Sequence, residues 1–115
     1  MNEEKVEIRN LRLSQKDDFI RLKTLMMEWE NKTIKKLSVL PNGMIREEGT
    51  HVFGGAELFE EENNLLLRIW TSFGMLNIHM GDFVEKADNT RLIIRRFSKD
   101  PWNIKKDVFR IVEEQ

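Results

Sequence analysis

The spacing of apolar residues changes twice along the chain, and each change marks a predicted element. Val6 and Ile8 alternate, then Leu11 and Leu13 alternate in the opposite phase around Asn10. Residues 5–13 are therefore expected to form a strand that switches face at Asn10. Ser14, three residues before Asp17, offers a helix cap, and Asp17 and Asp18 suit the positive end of a helix. Phe19, Leu22, Met26, Trp29 and Leu37 then recur at helical spacing, with Ile20, Met27 and Ile34 in a second row. This pattern predicts one helix over 15–38, with an apolar arc of about 220°, wider than a surface helix usually shows. Pro41-Asn42-Gly43 supplies the turn that ends it.

From residue 44 onward the period is two. Met44–Glu48 and His51–Phe59 read as short strands broken by Gly49 and Gly54-Gly55, and Asn63-Asn64 as a hairpin turn. Leu65–Phe73 is expected to be the central strand, because both its faces are apolar. Met75–Met80 and Arg91–Phe97 complete the sheet, and Gly81–Thr90 reads as a loop. Asp100-Pro101 looks like a helix start, and Ile104, Val108, Ile111 and Val112 fall at helical spacing beyond it. The expected fold is α+β in one domain, 1–115: an antiparallel sheet of four to five strands packed on one long N-terminal helix, with a short C-terminal helix.

Composition narrows the chemistry. The 115 residues include no cysteine, which excludes disulfides, thiolate metal sites and a thiol nucleophile. The absence of disulfides and of an apolar leader points to a cytoplasmic protein, and no apolar run approaches a membrane span. The net charge of −1 hides an uneven distribution. Residues 41–90 hold nine acids against three bases, and residues 91–115 hold seven bases against four acids. Such asymmetry either steers a partner or is neutralised within the fold.

His51 and His79 are the only histidines, and His79-x-x-Asp82 supplies at most two ligands, so no metal is expected. Gly49 to Gly55 contains neither a dinucleotide nor a P-loop signature, and no serine stands in a nucleophile elbow. No cofactor is expected. Val6 to Phe19 resembles the opening βα unit of acyl-CoA N-acetyltransferases. The Arg/Gln-x-x-Gly-x-Gly/Ala loop with which that family grips the cofactor pyrophosphate is missing, so the family is not assigned.

These readings favour a non-enzymatic, protein-binding or regulatory domain of the inhibitor or adaptor type. Its contact surface is expected on the wide arc of the long helix, at Ile20, Leu25, Met26, Met27, Trp29 and Ile34, with a homodimer as the simplest closure. The alternative is a nucleic-acid binder using Arg91, Arg95, Arg96, Phe97, Lys99, Trp102, Lys105 and Lys106, unless those bases pair internally with Glu57–Glu62. A small enzyme with a dispersed site stands third.

Overall fold

The computed structural model describes residues 7–40, 42–72, 74–96 and 105–111. Among these residues the fold is mostly sheet: eight antiparallel strands in one curled half-barrel, with a single short helix. The strands are β1 (Ile8–Arg12), β2 (Thr33–Val39), β3 (Ile45–Glu61), β4 (Asn64–Thr71), β5 (Gly74–His79), β6 (Phe83–Ala87), β7 (Arg91–Arg96) and β8 (Lys105–Ile111). Their order across the sheet is β1-β6-β7-β8-β2-β3-β4-β5. Helix α1 (Lys16–Met27) packs against β3 and β4 inside the curl.

This architecture overturns the expected α+β arrangement of four to five strands on a long helix. The helix is 12 residues long, because the chain turns at Glu28 to Asn31 and Asn31 adopts a left-handed φ of 64°. Residues 33–39 leave as β2 instead of prolonging the helix. At the C-terminal end, residues 105–111 form a strand paired with both β7 and β2, so the expected terminal helix is absent there. The Asp100-Pro101 signal lies outside the described residues. The predicted loop 81–90 contains the short strand β6.

β3 causes most of the curl. Its first half pairs with β2 and its second half with β4, with an irregularity in each register. The first falls at Glu48-Gly49, where Gly49 has a φ of 92° that only glycine adopts freely. The second falls at Gly54, where a Cβ would come within 3.4 Å of the Trp70 carbonyl oxygen. Bulges bend a strand, and these two turn one long strand around the core. At Asn10, where the sequence switches face, φ is 50°, and Ile8 and Leu11 both turn inward toward Ala87 and Val84 of β6.

The concave side closes on α1. Phe19, Leu22, Leu25 and Met26 are buried, and Trp29, in the turn after the helix, is fully enclosed. Its ring meets Phe53 edge to face at 6.0 Å, and its Nε1–H donates to the Asp88 carbonyl at 3.1 Å. Leu67, Ile69 and Ile78 from one half and Leu92, Ile94 and Phe109 from the other complete one continuous core. β4, expected at the centre, lies next to the β5 edge, and the outer side of Trp70 is only half-buried.

Candidate functional site

Three surfaces bear chemistry, and none is the helix face expected from sequence. Leu25, Met26, Trp29 and Ile34 are sealed in the core, so they cannot meet a partner. Only Ile20 and Met27, seven residues apart on α1, reach the surface.

The first surface is the mouth of the curl, where polar side chains point inward from β2, β3 and β8. The Lys36 ammonium forms an ion pair with the Glu48 carboxylate at 2.9 Å and lies 5.8 Å from the centre of the Phe109 ring. His51 Nε2 is 3.0 Å from the Glu48 carbonyl, a separation that assigns a proton to Nε2. Deeper in, Ser38 Oγ donates to Asp107 Oδ1 at 3.1 Å, and both residues are buried. A cavity of about 280 Å³ opens beside this group, lined by Lys36, His51, Thr71, Met75, Leu76 and Phe109. Thr71 Oγ1 donates to the Gly74 carbonyl at 3.2 Å. The Ser38–Asp107 bond ties a hydroxyl to a carboxylate, but both residues are buried and neither lines the cavity.

The second surface is the outer face of the half formed by β1, β6, β7, β8 and β2. Cross-strand register puts like charges side by side: Arg91 opposite Arg110, Arg110 opposite Lys35, and Arg95 opposite Lys106. Glu85 bridges the last pair, accepting from Arg95 at 3.0 Å and Lys106 at 2.6 Å. The Lys106 hydrogen bond, helped by the charge of both bases, holds the Glu85 carboxyl below its usual range against the opposing effect of burial. Lys35 pairs with Glu47 at 2.6 Å. Arg91 and Arg110 are exposed, with no ion-pair partner among the described residues.

The structure thus brings Arg91, Arg95 and Lys106 of the predicted basic set onto one face. Arg96 and Lys105 are register partners in the same two strands, while Phe97, Lys99 and Trp102 lie outside the described residues. The expected pairing with Glu57–Glu62 is not how the described bases are neutralised. Glu60 pairs with Lys16 of α1, and Arg95 pairs with Glu85. Lys35 and Glu85 were missed because only the β2–β8 and β6–β7 registers bring them beside the rest.

The third surface is the outer face of β3, β4 and β5, together with the free edge of β5. Phe59, Leu66, Trp70 and Met75 stand on it; Arg68 lies 5.1 Å from the Phe59 ring centre and donates to Asn77 Oδ1 at 3.0 Å. Met75 is 61% exposed, and Phe59 and Met80 are exposed as well. A shallow depression of about 390 Å³ lies among Phe59, Leu66, His79 and Met80. His79 and Asp82 make a turn, with the His79 N–H donating to Asp82 Oδ2 at 2.8 Å. Among the described residues, no group of three or more His, Asp or Glu could hold a metal ion. Compared with protein-family models, curated proteins and solved structures, the chain matches none.

Proposed function

We propose that this protein is a non-enzymatic protein-binding domain that takes its partner by strand addition at β5. One observation carries the reading: among the described residues, β5 is an edge strand without any device that protects an edge. Sheets guard their free edges with charge, proline, bulges or a covering segment, because unpaired N–H and C=O groups recruit any extended chain. The β5 sequence, Gly74-Met75-Leu76-Asn77-Ile78-His79, has no lysine, arginine, acid or proline, and its pairing with β4 is regular.

A second copy of the chain fits this edge. Antiparallel pairing of two β5 strands about a two-fold axis at Asn77 sets Leu76 against Ile78 of the copy on the core side. The same register sets Met75 against the copy's His79 on the outer side, and no like charges oppose each other. Two-fold dimers are the commonest closed assemblies. Light scattering coupled to size exclusion tests this directly. The expected mass is about twice the 13.8 kDa of one chain, returning to a single chain in the Met75→Lys/Asn77→Lys variant. A wild-type protein that stays monomeric throughout the micromolar range, or a dimer indifferent to both lysines, refutes pairing at β5.

A further inference from the structure

The like-charge register on the other half of the sheet has a different consequence, independent of the strand-addition reading. Directly opposed like charges destabilise a sheet. Here three outward rows cross the strands. Lys35, Arg110 and Arg91 form the first. Leu37, Val108 and Ile93 lead into Lys86 and Arg9 in the second. In the third, Lys106 and Arg95 lead past Phe83 to Arg12. Every strand of this half therefore presents a cation outward; Glu7, Glu47, Asp88 and Glu85 pair with Arg9, Lys35, Lys86, Arg95 and Lys106, while Arg91 and Arg110 have no ion-pair partner among the described residues. The first and third rows are four residues apart along β7 and β8, or about 13 Å.

We propose that this face binds single-stranded nucleic acid through its phosphates. Rows of cations running across a sheet follow a backbone that lies across the strands, and the aliphatic row between them gives bases an apolar floor. The face is the convex side of a half-barrel. A flexible strand can wrap that curve, whereas a stiff duplex touches it along a narrow strip. A bilayer is less well matched, because Leu37, Val108 and Ile93 are half-buried between the charged rows and have little side chain free to insert. Phe83 is already covered by Arg95, 5.6 Å from its ring centre, so little stacking is available. Binding is expected to depend on phosphate charge and to be nearly independent of base sequence.

The test is fluorescence anisotropy of the full chain with a labelled 20-nucleotide mixed-sequence DNA strand and its RNA counterpart, at ~50 and ~200 mM salt. Saturable binding is expected, weakening with salt by a log–log slope of about −0.7 per phosphate contacted. Arg91→Glu/Arg110→Glu should lower affinity about tenfold or more and flatten that slope by at least ~1. Arg21→Glu, an exposed base on α1, should leave both unchanged. Circular dichroism reports whether the double variant is folded, and Lys106→Gln is a milder second probe with the same expected direction. The proposal is overturned if neither strand binds at the lower salt. It is also overturned if Arg21→Glu loses as much affinity as the double variant, or if a duplex of the same sequence binds as tightly. Co-sedimentation with phosphatidylserine vesicles in place of the oligonucleotides would reassign the face to a membrane surface.

Discussion

The two halves of the curled sheet have matching insides and contrasting outsides. Facing the core, β4 offers Leu65, Leu67 and Ile69, and β7 offers Leu92 and Ile94, all buried. Facing outward, β4 carries Leu66, Arg68 and Trp70 beside Phe59 and Met75, while β7 carries Arg91 and Arg95 beside Arg110 and Lys106. The edges differ in the same way. The β1 edge has Arg9, Arg12 and the irregular Asn10, which would repel or misalign an added strand, and the β5 edge has none of these. Folding requires only the inner faces to agree. The outer faces and edges are where one half has become apolar and open and the other cationic and guarded.

The sharpest way to break this comparison is to attack what the halves share. Trp29 is fully buried between them, meeting Phe53 of β3 and bonding to Asp88 at the β6–β7 turn. Trp29→Ala should cost about 3–5 kcal/mol, since it opens a cavity and leaves the Asp88 carbonyl without its donor. Urea denaturation followed by far-ultraviolet circular dichroism should show one transition at a lower midpoint. Two separate transitions would mean that the halves fold as independent units.

The same inner face explains what could and could not be read from the sequence. Where inward positions are all apolar, the strand is legible: Leu65, Leu67 and Ile69 announce β4, and Leu76 and Ile78 announce β5. β2 and β8 break that rule, because Lys36, Ser38 and Asp107 point inward while Leu37, Val39 and Val108 point outward. An inverted pattern of that kind leaves no period-two signal, and Ile34 and Leu37 then extend the helical spacing of α1 by coincidence. The buried Ser38–Asp107 bond is the physical cause, since it lets polar residues take core positions, and no spacing rule detects a partner 69 residues away. The basic residues were visible as a cluster, but their alignment into rows needed the β2–β8 and β7–β8 registers. The β5 edge was unreadable for a similar reason, because strand order decides which strand ends a sheet.

A smaller effect is expected at Glu85, the carboxylate that makes the cationic half tolerable. Glu85→Gln removes the charge between Arg95 and Lys106 and should cost about 1–2 kcal/mol at neutral pH. The folded-state pKa of Glu85 is depressed, so its contribution is complete above the ordinary carboxylate range and is lost as pH falls through the lower folded value. Asp88 has the same sign. Burial pushes it up, but the N–H and hydroxyl of Thr90, the N–H of Arg91 and the charge of Lys86 outweigh burial and hold it down. Wild type and Glu85→Gln should therefore differ in stability by a constant amount from pH 7 to 5 and converge in stronger acid. A gap that widens in acid would reverse the assigned sign.

The smallest predicted effect bears most directly on why the two outer faces differ. Arg91 and Arg110 stand opposite each other, exposed, with no acid between them among the described residues. Replacing one of them by glutamate converts a repulsive cross-strand pair into an attractive one. Arg91→Glu should raise stability by about 0.2–1 kcal/mol at low salt, and the gain should shrink as salt screens the pair. Most substitutions destabilise, so a gain from charge reversal would identify a position where the native residue works against the fold. Arg110→Glu alone should give a similar gain, and the double variant should give back most of both, because two glutamates again oppose each other. Chemical denaturation of the four proteins at two salt concentrations measures the cycle. If each single variant is less stable than wild type, the arginines support the sheet, and the contrast between its two outer faces has a structural cause instead of a binding one.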